Sequence, residues 1–343
     1  MNFLVTGGAG YIGSVLVGML LLREDKVRVF DKLYFDDKPL AELKSKYGHK
    51  LEIVQGDVRK FDDALLDGID AVIHLGALSN DPTADFDPKA TVEINYKGTV
   101  NVAEACKRKG IKRFSFASTA AVYGFHVDSI ADESFPTNPQ SEYAKSRVDS
   151  DNALMKMADD KFFPVSFRQG TVYGASPRWR YDLAVNTFTR DAFFKGVLNV
   201  DAGGGAWRPF VDVKDVASAH ILAVTCPENK ISGGQIFNLV YDNFQIIDLA
   251  HRVKFILRDK KHIEVEVDYS TREARSYRMI GEKLKKVLGF VPEISIEESV
   301  LHMYGLLEKG QYNDFNNPYY YNMPWMLLLV DMEKRLSRIG RIF

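Results

Sequence analysis

Gly7, Gly10 and Gly13 stand three residues apart, directly after the apolar run 3–6 and at the opening of a helical pattern over 12–24. The first glycine suits a tight turn, the second lets backbone approach a pyrophosphate, and the third lets helix and strand pack closely. Tyr11 and Ile12 sit inside this loop and open the helix, whose free N–H groups and positive dipole end point at the phosphates. A second apolar run, 27–31, ends in Asp31, at the spacing where a carboxylate accepts hydrogen bonds from an adenosine ribose and repels a 2′-phosphate. The chemistry implied is dinucleotide binding, with NAD favoured over NADP despite the neighbouring Lys32. Asp57-Val58 follows the third apolar run and is placed to meet adenine, although an Asp after a strand is commonly a helix cap. His74-Leu75-Gly76-Ala77 ends the fourth run beside the cofactor, and His74 reads as a packing or orienting residue.

The elements that must position these residues follow from periodicity. Short runs rich in Val, Ile and Phe at 3–6, 27–31, 51–55, 71–74, 113–117 and 164–168 read as buried strands. Helical stretches at 12–24, 62–67, 92–109 and 142–158 alternate with them. Such alternation predicts an α/β fold: a Rossmann-type, doubly wound parallel sheet covered on both faces. Past residue 170 the pattern loosens into a smaller, mixed α/β substrate lobe. The expected division is 1–169, with a returning segment at about 210–245, for NAD binding, and 170–209 with 246–343 for the substrate. Within the returning segment, 210–224 and 236–240 are expected to rejoin the sheet. Residues 311–343, rich in Tyr, Asn and Met, read as an appended element, helical from Met326 onward.

Composition excludes several classes. With 45 Lys and Arg against 46 Asp and Glu, the chain lacks the basic surplus of a nucleic-acid binder. Two cysteines, Cys106 and Cys226, suit a reducing compartment and form neither a disulfide framework nor a cysteine zinc site, and no metal is expected. The opening residues do not read as a signal peptide, and the longest apolar runs are too short to span a bilayer. No membrane partner is expected, and the expected compartment is the cytoplasm.

Taken together, these motifs resemble the extended short-chain dehydrogenase/reductase family, in its NAD-dependent nucleotide-sugar epimerase/dehydratase branch. The resemblance also rests on Asn95 within Ile94-Asn95-Tyr96-Lys97-Gly98-Thr99, on Ser118-Thr119-Ala120-Ala121-Val122-Tyr123-Gly124, on Tyr143, on Arg208-Pro209-Phe210-Val211-Asp212, and on Leu288-Gly289-Phe290. It implies Asn95 at the cofactor and a catalytic Tyr, a Lys four residues later and a strand-end Ser or Thr. Tyr143 takes the first role, with Thr119 as the hydroxyl and Ser118 as its neighbour and helper. The residue four after Tyr143 is Arg147, on the same helix face. It keeps the positive charge that favours a phenolate and reaches the nicotinamide ribose, but does not deprotonate, so any relay through a lysine is lost.

Family members that dehydrate or decarboxylate the sugar place acidic residues beside the strand-end hydroxyl, where this chain has Ala120 and Ala121. Epimerisation and ketone reduction remain, both served by hydride transfer and one proton relay. The leading expectation is an NAD-dependent C4 epimerase of a nucleotide-diphosphate sugar. The alternatives are a nucleotide-sugar 4-ketoreductase and a non-catalytic NAD-binding sensor with Arg147 in a degraded site. Arg208 and Arg275 are the expected grips on the substrate diphosphate, which a guanidinium fork matches well. Gly170 stands where relatives place an Asn, and Arg178 and Arg180 add positive charge to the same lobe. The resemblance further implies a homodimer packed through 92–109 and 142–158.

Overall fold

Strands buried on both faces must be apolar along their length, and the central strands of this chain are. In the computed structural model, which describes every residue except 80–85, 127, 271–274 and 341–343, seven strands form one sheet. Its order is Gln235–Leu239, Phe163–Gln169, Arg113–Thr119, Ala71–His74, Asn2–Thr6, Lys26–Asp31, Leu51–Gln55. Every neighbouring pair is parallel. The order reverses beside Asn2–Thr6, the switch point where a doubly wound sheet opens a crevice at the carboxyl ends of its strands. The Rossmann-type fold expected from the alternation is therefore present.

Strand alternation divides the core into two layers. Phe3 and Val5 point to one face, against Leu16, Val17, Leu20 and Leu21 of helix Tyr11–Leu22 and Ala217, Ile221 and Val224 of helix Val213–Thr225. Leu4 and Val72 point to the other, against Val102, Ala103 and Cys106 of helix Gly98–Lys109. Leu154, from helix Glu142–Met157, joins that second layer. Helix Gly98–Lys109 is preceded by a π-helical turn, Val92–Lys97, so the single helix expected over 92–109 changes winding at its start.

The returning segment differs from expectation. Trp207–Asp212 joins a separate three-stranded sheet, between Asp242–Gln245 and Thr171–Tyr173, and 213–225 is a helix on the main sheet. The strand that rejoins the sheet is Gln235–Leu239 alone. Pro209 explains part of this: a strand needing every N–H for a central ladder does not tolerate proline, whereas a short peripheral sheet does. The expected helix at 62–67 is a single 3-10 turn, Asp63–Leu66, and the C-terminal helix begins earlier than expected, at Asn322–Ile339. Residues beyond the sheet share an aromatic core of Tyr173, Trp179, Tyr181, Phe188 and Phe210 with Val300 and Met303 of helix Ile296–Glu308. No helix among the described residues is long and apolar enough to cross a membrane.

Two histidines are fully buried in this framework. His74 lies between the Thr6 and Thr99 hydroxyls, at 2.6 and 3.0 Å, and His220 bonds the Ser115 hydroxyl at 2.7 Å. Burial lowers both to about 3, from 6.5, with Arg147 adding to the effect on His74. A histidine held neutral on folding contributes no penalty above the unfolded value and destabilises as pH falls below it. Between pH 7 and pH 5 each costs on the order of 2 kcal/mol. The thermal midpoint of His220→Phe should therefore change less between pH 7 and 5 than that of the parent, as measured by calorimetry. An equal change in both proteins would refute the assignment.

Candidate active site

At the carboxyl ends of the strands lies a cavity of about 600 Å³. Its floor is the glycine loop. Gly7 has φ +69°, and a Cβ there would lie 2.7 Å from the Gly76 nitrogen; a Cβ on Gly13 would lie 2.2 Å from the Gly7 carbonyl oxygen. Only glycines let the first helix and the loop after the fourth strand close this tightly. Gly10, Tyr11, Ile12, Leu75, Gly76 and Ala77 line the same floor.

Asp31 stands at one end, lining the cavity. Its carboxylate accepts the N–H groups of Ala9 (3.0 Å) and Leu33 (2.8 Å), which orient it while burial pushes its pKa up. Asp57 and Val58 line this end too. Asp57 is also a helix cap, accepting the Arg59 N–H at 3.0 Å, and the Arg59 guanidinium pulls its carboxyl far below the usual range. Lys32, which threatened the discrimination against a 2′-phosphate, leans toward Asp57 at 3.5 Å.

Thr119 and Tyr143 also line the cavity, together with Arg147. Ser141 caps helix Glu142–Met157 through the Ala144 N–H (3.2 Å), fixing Tyr143 in its first turn and Arg147 one turn on. Arg147 is 3% exposed. Its guanidinium carbon lies 5.2 Å from the ring centres of both Tyr143 and Phe116. Its Nε has no hydrogen-bond partner among the described residues. The Tyr143 ring has a buried cation against its face. The rigid planar group thus occupies the place expected of a flexible ammonium.

Two expected residues do not reach the wall. Ser118 is fully buried and absent from the lining, because neighbouring strand residues point to opposite faces and Thr119 takes the cavity side. Asn95 instead holds the loop that forms the wall: it accepts the Leu78 N–H (2.8 Å) and donates to the Leu78 carbonyl (3.0 Å). His74 lies beneath the floor as a packing residue.

Arg208 and Arg275 line the far side. Arg208 donates to the carbonyl oxygens of Trp207 (2.9 Å) and Arg275, and its guanidinium carbon is 5.2 Å from the Tyr277 ring. The glycine at 170 has a steric cause: a Cβ there would meet the Pro209 carbonyl oxygen at 2.8 Å, so no amide side chain fits. Sequence reasoning missed the fourth wall, which is Tyr321, Asn322, Met323 and Pro324. The only signal for it was the density of aromatic residues at 319–325, too apolar for a solvated loop.

A model of the NAD dependent epimerase/dehydratase family matches residues 3–239. The chain belongs to this family. NAD is accordingly its cofactor, and the glycine floor and the oriented Asp31 carboxylate fit that group. The chain is similar to a UDP-glucose 4-epimerase of Lactobacillus helveticus, 29% identical over 280 residues, 74% of this chain and 82% of the relative. It is also similar to UDP-glucuronic acid decarboxylase 3 of Arabidopsis thaliana, at 27% over 88% of this chain and 87% of the relative. A solved UDP-glucose 4-epimerase of Thermus thermophilus in complex with NAD superposes with a TM-score of 0.73 at 27% identity, covering 89% of this chain and 99% of the other.

Asp31→Asn should weaken NAD binding by about tenfold to a hundredfold, the worth of a hydrogen bond to a charged group. Fluorescence titration measures it, and an unchanged dissociation constant would remove Asp31 from the cofactor site.

Proposed function

We propose that this chain is an NAD-dependent epimerase acting at C4 of a nucleotide-diphosphate sugar. The observation that carries the reading is the set of residues at the cavity: Thr119, Tyr143 and the buried Arg147, with alanines at 120 and 121 where elimination chemistry needs acids. Among the described residues, the carboxylates lining the cavity are Asp31, Asp36, Asp57 and Asp182. Asp31 and Asp57 belong to the ribose end, and Asp182 is locked to Arg180 by two contacts of 2.8 and 3.0 Å. The similarity to UDP-glucose 4-epimerases supports a uridine diphosphate carrier.

Bound NAD supplies a reversible hydride acceptor. Thr119 holds the reacting sugar hydroxyl by a hydrogen bond. Tyr143 would accept the proton of the reacting sugar hydroxyl and would donate it back to the same oxygen in the reverse half-reaction. Arg147 holds a fixed positive charge beside the Tyr143 ring and keeps all its own protons, so no proton passes through it. Arg208 and Arg275 grip the diphosphate, about which the sugar ring turns between the two half-reactions.

The test is incubation of the purified protein with UDP-glucose and no added cofactor. UDP-galactose should appear, and Tyr143→Phe should lower its rate by about 10²–10⁴-fold with NAD binding retained. Stoichiometric NADH consumption with a 4-keto sugar, without interconversion, would replace epimerisation by reduction. Tight NAD binding with no turnover of any nucleotide sugar would leave only a sensor.

Charge at position 147 is the second test. Arg147→Lys should retain turnover and Arg147→Met should lose it, each compared at equal NAD occupancy. Full activity of the Met variant would show that the cation does not act on Tyr143.

A further inference from the structure

The segment 311–326 runs from the substrate lobe across the mouth of the cavity to the nucleotide-binding side, and it is fastened at both ends. On the substrate side, Tyr312 stacks on Trp179 with ring centres 4.3 Å apart. The Tyr320 carbonyl accepts the Tyr181 N–H at 2.9 Å, and Arg190 donates to the Tyr321 hydroxyl at 2.9 Å. On the nucleotide side, the Trp325 indole N–H donates to the Tyr34 carbonyl (2.6 Å) and the Tyr319 hydroxyl to the Phe35 carbonyl (2.7 Å). The Asn322 amide donates to the Ser79 hydroxyl at 2.9 Å. The loop it grips, after the second strand, holds Leu33 and Asp36 at φ 59° and 55°.

Under this strap lies Arg178, 1% exposed and lining the cavity. Its guanidinium carbon sits 3.8 Å from the Phe35 ring centre. Its two hydrogen bonds go to neutral acceptors, the Trp179 carbonyl (2.8 Å) and the Asn322 side-chain oxygen (2.8 Å). No carboxylate lies within 4.0 Å of it among the described residues, whereas its neighbour Arg180 has Asp182. Burial and the Arg180 charge push its pKa down to about 9. A buried cation given only neutral partners is costly unless an anion completes it. The position selects the anion. Arg178 stacks on the loop that follows Asp31, and Arg180 lies 5.9 Å from the Tyr11 ring of the phosphate-binding loop. Arg208 and Arg275 serve a different part of the cavity, with Tyr277.

We propose that Arg178, held in place by Asn322, is a second contact to the NAD pyrophosphate, facing the glycine loop from the opposite side, and that the 311–326 strap thereby locks the dinucleotide in. The pyrophosphate is bound from below by backbone N–H groups and from above by a guanidinium. Release of the dinucleotide requires the Trp325 and Tyr319 bonds to open. The inference rests on NAD being the cofactor and is independent of which sugar reacts.

The test compares adenosine, ADP, UDP and NAD binding to the parent and to Arg178→Gln, with NADH release from the parent and from Trp325→Ala, whose indole lies outside the cavity. Arg178→Gln should weaken ADP and NAD by about tenfold or more, as for a charge-assisted contact, and leave adenosine and UDP unchanged. Trp325→Ala should raise the NADH dissociation rate by about tenfold, the worth of roughly one buried hydrogen bond. Loss of UDP rather than ADP affinity would move Arg178 to the substrate, and equal loss of adenosine and ADP would make its role structural. Should Arg178→Gln not fold, the Trp325→Ala release rate decides, and an unchanged rate overturns the lock. Absence of NAD binding by the parent would instead refute the cofactor assignment.

Discussion

The contact on which the site depends is backbone against backbone. The loop at Gly7–Gly13 lies so near the Gly76 backbone that a single methyl group has no room. That closeness brings the start of the first helix and the ends of the first and fourth strands to one floor. Asp31, Leu75 and Ala77 then fall on a common surface because their elements are already fixed. The cost of such packing is conformational entropy, since glycine loses most on folding. Here the loss is offset by strands whose cores are fully buried on both faces.

Charge is the second organising theme. Arg147 and Arg178 are both almost wholly buried, and both rest against aromatic rings rather than carboxylates. Elsewhere the same chain pairs its buried cations: Arg168 with Asp151 at 3.1 Å and Arg190 with Asp191 at 2.7 Å. The contrast separates cations that hold the fold together from cations left for a ligand. A guanidinium spreads its charge over a plane and is weakly hydrated, so ring faces can hold it at lower desolvation cost than they could an ammonium. This gives a physical reason for arginine at 147, where the buried Phe116 ring backs the guanidinium.

Local signals were legible in the sequence, and distant ones were not. The glycine spacing, the strand-end Asp31 and the i, i+4 relation of Tyr143 and Arg147 each depend on one element, and each falls on the cavity wall. Strand parity would also have separated Thr119 from Ser118, since adjacent residues cannot both face the crevice. The role of Asn95 was hidden because its partner, the Leu78 backbone, belongs to another loop. Gly170 could be noted as a departure, but its cause, the carbonyl of Pro209, lies on a strand thirty-nine positions away. The Tyr321–Pro324 wall was the least readable part, because its contacts reach back to Ser79 and Asp182.

That long reach bears on how the protein matures. Synthesis delivers the glycine floor some three hundred positions before Trp325. Domains tend to fold as they emerge. A nascent chain can therefore present a formed but roofless cleft for much of its translation. Cofactor that enters early can still escape, and only after residue 325 has cleared the ribosome does capture become durable. Loading of the cofactor is in this way tied to the emergence of Trp325 rather than to the folding of the glycine floor.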